Sequence, residues 1–232
     1  MQRILITGAT GTVGRSVLAA LPQRTDLDIR AGVRDLARGA AALAAFPGVQ
    51  PVSFDFADPA SQDTALTGCD AVFLLRPPQL TDDFGDFIAR AGQAGGRHIV
   101  FLSVQGAENN RFIPHHKTEQ LLICSGLAYT LMRPAYFMQN FTTALRADLM
   151  ERHRIFLPAG RARFTLIDVD DISRVGGTSA KPTPSRPSTG SRFSRWPISS
   201  PPAWVGKSPI SRPVPGSFSG SKSARDWPRA SS

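Results

Sequence analysis

Cysteine is nearly absent from this chain. The two that occur, Cys69 and Cys124, fall in different segments without Cys-x-x-Cys or Cys/His ligand spacing, which excludes a disulfide framework and gives no zinc site. No metal is expected, and the thiols are expected to stay reduced, as in the cytoplasm. Met1 runs straight into the apolar Ile4-Leu5-Ile6 with no basic leader or cleavage site. No stretch approaches the roughly 20 apolar residues needed to cross a bilayer, so no membrane partner is expected. Acidic residues are scarce in one region: residues 175–232 hold nine Lys and Arg against the single acid Asp226, so nearly all of the net charge of +9 sits there. That charge is neither gathered on one face nor interleaved with regularly spaced aromatics. No specific nucleic-acid partner is therefore expected, only salt-dependent attraction to polyanions.

What the chain does contain, from Met1 to about Arg174, is an alternation of short apolar runs with amphipathic stretches. The runs at Arg3–Thr7, Ile29–Val33, Val49–Asp55, Ala71–Leu75, His98–Ser103 and Ala128–Arg133 predict strands. Between them, three- and four-residue apolar spacing predicts helices at Val13–Pro22, Leu36–Phe46, Ala60–Thr67, Asp82–Ala94, His115–Ser125 and Tyr136–Arg152. The pattern is that of an α/β fold, a Rossmann-type doubly wound parallel sheet with helices on both faces. A length of 232 residues and a 41% hydrophobic content suffice for one such domain, taken as residues 1–174.

The run Gly8-Ala9-Thr10-Gly11-Thr12-Val13-Gly14 follows a buried strand and opens a helix. In that context Gly8 allows the tight turn, Gly11 lets a pyrophosphate approach the backbone, and Gly14 permits close helix–strand packing. The helix start at Thr12 and Val13 offers free N–H groups and a positive dipole end to phosphates. The second strand ends in Arg34, a guanidinium suited to the 2′-phosphate of NADP. Asp35 follows and suits the ribose hydroxyls of NAD, so NADP is the first expectation and NAD the alternative. Asp55 ends the third strand, where it either reaches an adenine amine or is a helix cap or a loop-exposed carboxylate. Arg76, at the end of the fourth strand, is expected beneath the nicotinamide ribose, beside the stiff Pro77-Pro78.

These residues resemble a known family, the NmrA-like proteins and their enzymatic relatives, the NAD(P)H quinone oxidoreductases and azoreductases, atypical short-chain dehydrogenases/reductases. The resemblance is carried by Ile4–Gly11, Phe101-Leu102-Ser103, His115-His116-Lys117-Thr118-Glu119, Tyr129–Pro134 with Tyr136 and Gln139-Asn140, and Phe164–Ile172. The Tyr-x-x-x-Lys pair that ordinary short-chain reductases use for proton exchange is absent, which argues against alcohol dehydrogenation more than against quinone reduction. The resemblance implies an NADP(H)-dependent reductase of quinones or similar flat electrophiles such as azo compounds. It places His115 and Glu119 beside the substrate and nicotinamide, and Ser103 by position at the serine of short-chain reductases, a helix or turn cap being the alternative for Ser103. A carboxylate such as Glu119 favours the charged form of His115; the alternative is an exposed i,i+4 ion pair at a helix start. Tyr136 and Phe137 are candidate walls for a flat substrate, or core residues. The competing function is a non-catalytic redox sensor of the NmrA type, with a protein partner; a homodimer is compatible with either.

After Val175, Pro, Ser, Gly, Lys and Arg dominate and neither period survives, so residues 175–232 are expected to be a disordered or irregular tail. The composition breaks where the resemblance stops, which predicts that the tail is read out of frame and replaces the substrate-side subdomain. Joining the last base of each codon to the first two of the next forces Ala from Trp196-Pro197, Gly from Trp204-Val205, and Leu then Ala from Asp226-Trp227-Pro228. With permitted codon choices, residues 198–209 then read Ile-Leu-Ser-Ala-x-Leu-Gly-Arg-x-Ile-Ala, an amphipathic pattern.

Overall fold

Buried β-branched and aromatic runs form the strands, and capped or glycine-started stretches form the helices between them. The computed structural model describes residues 1–21, 26–77, 84–155, 165–179 and 205–207. In chain order these give β1 (Gln2–Ile6), α1 (Thr12–Ala20), β2 (Leu27–Val33), α2 (Leu36–Leu43), β3 (Val49–Ser53), α3 (Pro59–Leu66), β4 (Ala71–Leu75) and α4 (Gly85–Gln93). There follow β5 (His98–Leu102), α5 (Pro114–Cys124), β6 (Ala128–Met132), β7 (Tyr136–Phe137), α6 (Arg146–Arg152), β8 (Leu166–Ile167), α7 (Val169–Ser179) and β9 (Val205–Lys207).

The large sheet has the order β3-β2-β1-β4-β5-β6-β9, with β1 to β6 all parallel and β9 antiparallel to β6. The order reverses between β1 and β4, where an open α/β sheet leaves a crevice at its carboxyl edge. Alternation along the central strands sends side chains to two separate cores. Phe73, Val100 and Met132 pack with Val17 and Leu18 of α1, Leu43 of α2 and Ile172 of α7. Val72, Leu74, Ile99 and Phe101 pack on the other face with Leu66 of α3, Phe87 and Ile88 of α4 and Leu122 of α5. Phe54, Phe56, Phe84 and Phe87 close this second core edge-to-face, the tightest pair having centroids 4.8 Å apart.

Three sequence expectations are revised. Tyr136–Arg152 is not one helix: Tyr136–Phe137 pair as β7 with β8, Met138–Phe141 form a single 3-10 turn, and only Arg146–Arg152 is α-helical. The sequence between them favours local bonding over a helix, since Thr142 and Thr143 hydroxyls both donate to the Gln139 carbonyl, at 3.0 and 2.9 Å. The boundary at Arg174 falls inside α7, which runs on to Ser179. There Gly176 sits so close to the sheet that a Cβ would stand 2.6 Å from Phe73 Cε2. Finally, Val205–Lys207 form a strand where none was expected, because an exposed edge such as β6 pairs with any extended backbone regardless of side-chain pattern. Most of the predicted irregular tail lies outside the described residues. Among those described, no helix is long and apolar enough to cross a membrane, and no His, Cys, Asp or Glu cluster could hold a metal.

Candidate dinucleotide and substrate site

Thr7, fully buried, builds the turn that follows β1. Its hydroxyl accepts from the Leu75 N–H at 2.9 Å and lies 3.3 Å from the Leu75 carbonyl oxygen, so the ends of β1 and β4 are held in register. Gly8 then takes φ +59°, the left-handed region that a side chain would strain. The Gly11 N–H returns to the Gly8 carbonyl at 3.0 Å and Gly11 becomes the N-cap of α1 with no side-chain cap. The first N–H groups of the helix are thereby left for a ligand, and Gly8, Thr10, Gly11 and Thr12 are all exposed around them. Val13 instead turns its side chain into the core, contributing backbone only. Gly14 is buried against the turn: a Cβ there would stand 2.3 Å from the Gly8 oxygen and 2.7 Å from Ala9 Cα. The cradle therefore fits a pyrophosphate at the backbone of Gly11 to Val13, and these are the residues that would hold a dinucleotide.

At the end of β2 the two ribose-reading candidates separate. Arg34 is exposed, whereas the Asp35 carboxylate accepts from the Arg38 N–H at 3.0 Å as the N-cap of α2. Asp55 lies just beyond β3, half-buried, with its carboxylate accepting from the Ala57 N–H at 2.9 Å. Its main chain is held as well, the Asp55 N–H donating to Ser61 Oγ at 2.9 Å. Asp55 is thus a loop carboxylate bonded within its own turn and not a helix cap, the cap of α3 being Asp58, though a residue so placed still flanks the crevice.

The other end of the crevice is formed by β4, β5, β6 and α5. Arg76 follows β4 half-buried, its guanidinium carbon 5.2 Å from the Phe84 ring centroid. His115 lies in the first turn of α5 with its ring stacked on Phe101, centroids 6.0 Å apart and planes 28° from parallel. Ser103 and Glu119 are brought together and almost completely buried, at 1% and 0% exposure. The Ser103 hydroxyl donates to the Glu119 carboxylate, which also receives Arg133 in a fork, Nε to Oε1 at 2.9 Å and Nη2 to Oε2 at 2.6 Å. Arg133, which the sequence did not single out for chemistry, is thus the partner of Glu119. The signal that could have found it is a basic residue ending a strand one element away from a helix-borne acid.

This arrangement replaces the exposed His115–Glu119 ion pair offered as an alternative. It also reverses the expected shift of His115, whose pKa is lowered below its ordinary value, first by burial and then by the charge of Arg76; Glu119 opposes them without prevailing. Because the folded pKa lies below that of the unfolded chain, the unfolded chain binds more protons in the window between the two. Stability contributed by neutral His115 is full above the unfolded value of about 6.5 and declines as pH falls toward and through the folded pKa. Replacing His115 by Asn should flatten that part of the stability-versus-pH curve, measured by urea unfolding between pH 5 and 7. An unchanged slope would mean His115 titrates as if unfolded.

Tyr136 is half-buried and meets Phe141 edge-on at 6.2 Å, while Phe137 packs against the first core. Gln139 fastens this segment, donating to Asp168 Oδ1 at 2.8 Å and accepting from the Val169 N–H at 3.2 Å. The Cys69 thiol is buried and pushed up to about 11 by that burial, which leaves it un-ionised at neutral pH.

Residues 8–156 match the NAD(P)H-binding family, and the chain belongs to it. Prestalk A differentiation protein A of Dictyostelium discoideum is 34% identical over 177 residues, covering 73% of this chain and 56% of that one. NAD(P)H azoreductase of Xenophilus azovorans is 32% identical over 178 residues, covering 74% and 61%. Among solved structures, an NADPH-dependent quinone oxidoreductase of Escherichia coli complexed with NADPH superposes with a TM-score of 0.64 at 26% identity, covering 75% of this chain and 63% of that one. The chain thus spans 56–61% of the length of these curated relatives. The NmrA-like, quinone-reductase and azoreductase resemblance read from the sequence holds at the level of the NAD(P)H-binding family.

Proposed function

We propose that the chain is an NADPH-dependent reductase of quinones or related flat electrophiles. The carrying observation is that the glycine turn and His115 share one carboxyl edge. A Cβ on Gly8 would touch Leu75 Cβ at 3.3 Å, and the next residue, Arg76, is near enough for its charge to act on His115. A bound reduced nicotinamide supplies a hydride. The chain's own residues hold the pyrophosphate at Gly11 to Val13, face the ribose with Arg76, and offer Tyr136 and Phe137 to an apolar ring. Neutral His115 keeps one ring N–H to direct a substrate carbonyl oxygen, and solvent supplies the remaining proton. Ser103 and Glu119, committed to each other, act by holding rather than by proton transfer. Support for NADPH over NADH comes from Asp35, whose carboxylate is already spent on the α2 cap.

The direct test is NADPH consumption with and without 1,4-benzoquinone beside an NADH control. Quinone-dependent oxidation is expected, and dinucleotide binding without turnover would instead favour the redox-sensor reading. Arg34→Ala should weaken NADPH binding by about 1.5–3 kcal/mol, the range for a charge-assisted hydrogen bond, and leave NADH binding alone. Equal losses for both dinucleotides, measured by calorimetry, would remove the 2′-phosphate from Arg34.

The same reading treats the region beyond about Val175 as translated out of frame. The family match, residues 8–156, stops short of it, and its basic composition has no counterpart in residues 1–174. Dinucleotide binding survives such a change, whereas quinone turnover is expected to be weak. Sequencing the gene decides: a one- or two-base shift near codon 175 must restore an amphipathic reading, and its absence removes the proposal.

A further inference from the structure

Arg133 closes β6 and belongs to no catalytic motif, yet it sits at the centre of a partly buried charged assembly at the substrate end of the crevice. Its guanidinium, 19% exposed, makes the two-bond fork to Glu119 and approaches Glu108 Oε2 at 3.4 Å. Ser103 adds its hydroxyl to the same carboxylate from the end of β5. The backbone continues this joint past the strands, the Ser103 N–H donating to the Met132 carbonyl at 2.7 Å and the Gln105 N–H to the Pro134 carbonyl at 2.9 Å. A second tie runs from His116 Nδ1 to the Ala107 carbonyl at 2.7 Å, so α5 is fastened to the β5–α5 loop as well.

His115 stands four residues before Glu119 on α5, one turn up the same face. The forked ion pair fixes both the rotation of that face and its height along the sheet, because a planar guanidinium meets a carboxylate in one plane and one orientation. With α5 so held, the His115 ring is seated against Phe101.

We infer that Arg133 is a positioning residue for the reductase proposed above: acting through Glu119, it sets the α5 turn that presents His115 to the crevice. Its side-chain bonds go to Glu119 and Glu108, and its influence travels through a buried carboxylate to a helix.

The test compares Arg133→Lys and Ser103→Ala with the intact full-length chain. Lysine keeps the charge but loses the fork, and Ser103→Ala removes one partner of Glu119 while leaving the ion pair. In both, the NADPH dissociation constant should be unchanged while kcat with 1,4-benzoquinone falls, by about 10- to 100-fold for Arg133→Lys and less for Ser103→Ala. The His115 ring resonance, assigned by its loss in His115→Asn, should titrate at a higher pH, toward the ordinary value of about 6.5, as the ring leaves its seat. A lowered melting temperature with kcat and His115 titration both unchanged would mean a purely structural brace and overturn the inference. Should Arg133→Lys fail to fold, Glu119→Gln breaks the same fork from the helix side: loss of its charge alone would lower the His115 pKa further, so a rise supports a displaced ring and a fall or no change overturns the inference. Should the wild-type chain not oxidise NADPH with quinone, the functional reading falls, and the His115 titration alone still decides whether Arg133 positions that side chain.

Discussion

Gly11→Val should yield a folded protein that binds neither NADPH nor NADH, while Gly14→Ala, a smaller change three residues on, should unsettle the fold itself. The difference follows from what each missing side chain would meet. At Gly11 the backbone has φ −77° and ψ 172°, extended values open to valine, and a Cβ meets only the Gly8 oxygen at 3.3 Å. Its cost to the fold is about 1 kcal/mol, that of a poor N-cap. The isopropyl group, however, stands at the exposed N-terminus of α1, where a pyrophosphate must come within hydrogen-bonding reach of the N–H groups. At Gly14 a methyl group would lie 2.3 Å from a carbonyl oxygen and 2.7 Å from a Cα, both backbone, and neither can swing aside. Separating α1 from the turn should cost about 3 kcal/mol or more, the upper part of the overpacking range. For a domain of this size that is a fall in melting temperature of roughly 6–12 °C. Calorimetric titration and thermal unfolding of the two variants check both halves. Wild-type NADPH affinity in folded Gly11→Val would refute the placement of the pyrophosphate.

Arg133→Ala is expected to be the most destabilising change at the substrate end, by about 3–5 kcal/mol, because it leaves the Glu119 carboxylate at 0% exposure without its cation. The Ser103 hydroxyl alone cannot replace two charge-assisted bonds. The double variant Arg133→Met with Glu119→Leu should recover most of that loss, since apolar groups of similar size do not carry the cost of a stranded charge. Such recovery is the signature of coupling in a double-mutant cycle, read by urea unfolding. If the losses from Arg133→Met and Glu119→Leu simply add, the ion pair contributes nothing as a unit.

How far the sequence could be read varied with the range of the interaction responsible. Strand β4 is found at Ala71–Leu75 as predicted, because an unbroken apolar run bounded by turn signals has few other ways to be buried. The glycine turn was equally legible, its spacing being dictated by local backbone geometry. The segment from Tyr136 was not: its apolar spacing suits a helix, but Tyr136 and Phe137 are held extended by pairing with Leu166 and Ile167, residues far along the chain. Periodicity carries no information about such a partner. The site shows the same division. His115, Glu119 and Ser103 were recognised as polar residues at the right edge, but which of them would be consumed by a partner depended on Arg133 from another strand. Likewise Asp55 and Asp35 were visible as carboxylates, while their engagement with the Ala57 and Arg38 N–H groups required the turns to be in place.

The cap made by Asp35 also bears on how such a chain changes over generations. A lineage drifting toward NADH would ordinarily recruit an acid at the end of the second strand. Here the acid next in line is already tethered to the first turn of α2, so freeing it would forfeit roughly 1 kcal/mol of helix start before any gain in hydroxyl recognition appeared. The accessible path runs through position 34, where one exchange of Arg for an acid both discards the phosphate-seeking charge and places a carboxylate on an exposed, uncommitted side chain. Descendants that switched dinucleotide should therefore bear the scar at 34 and keep aspartate at 35.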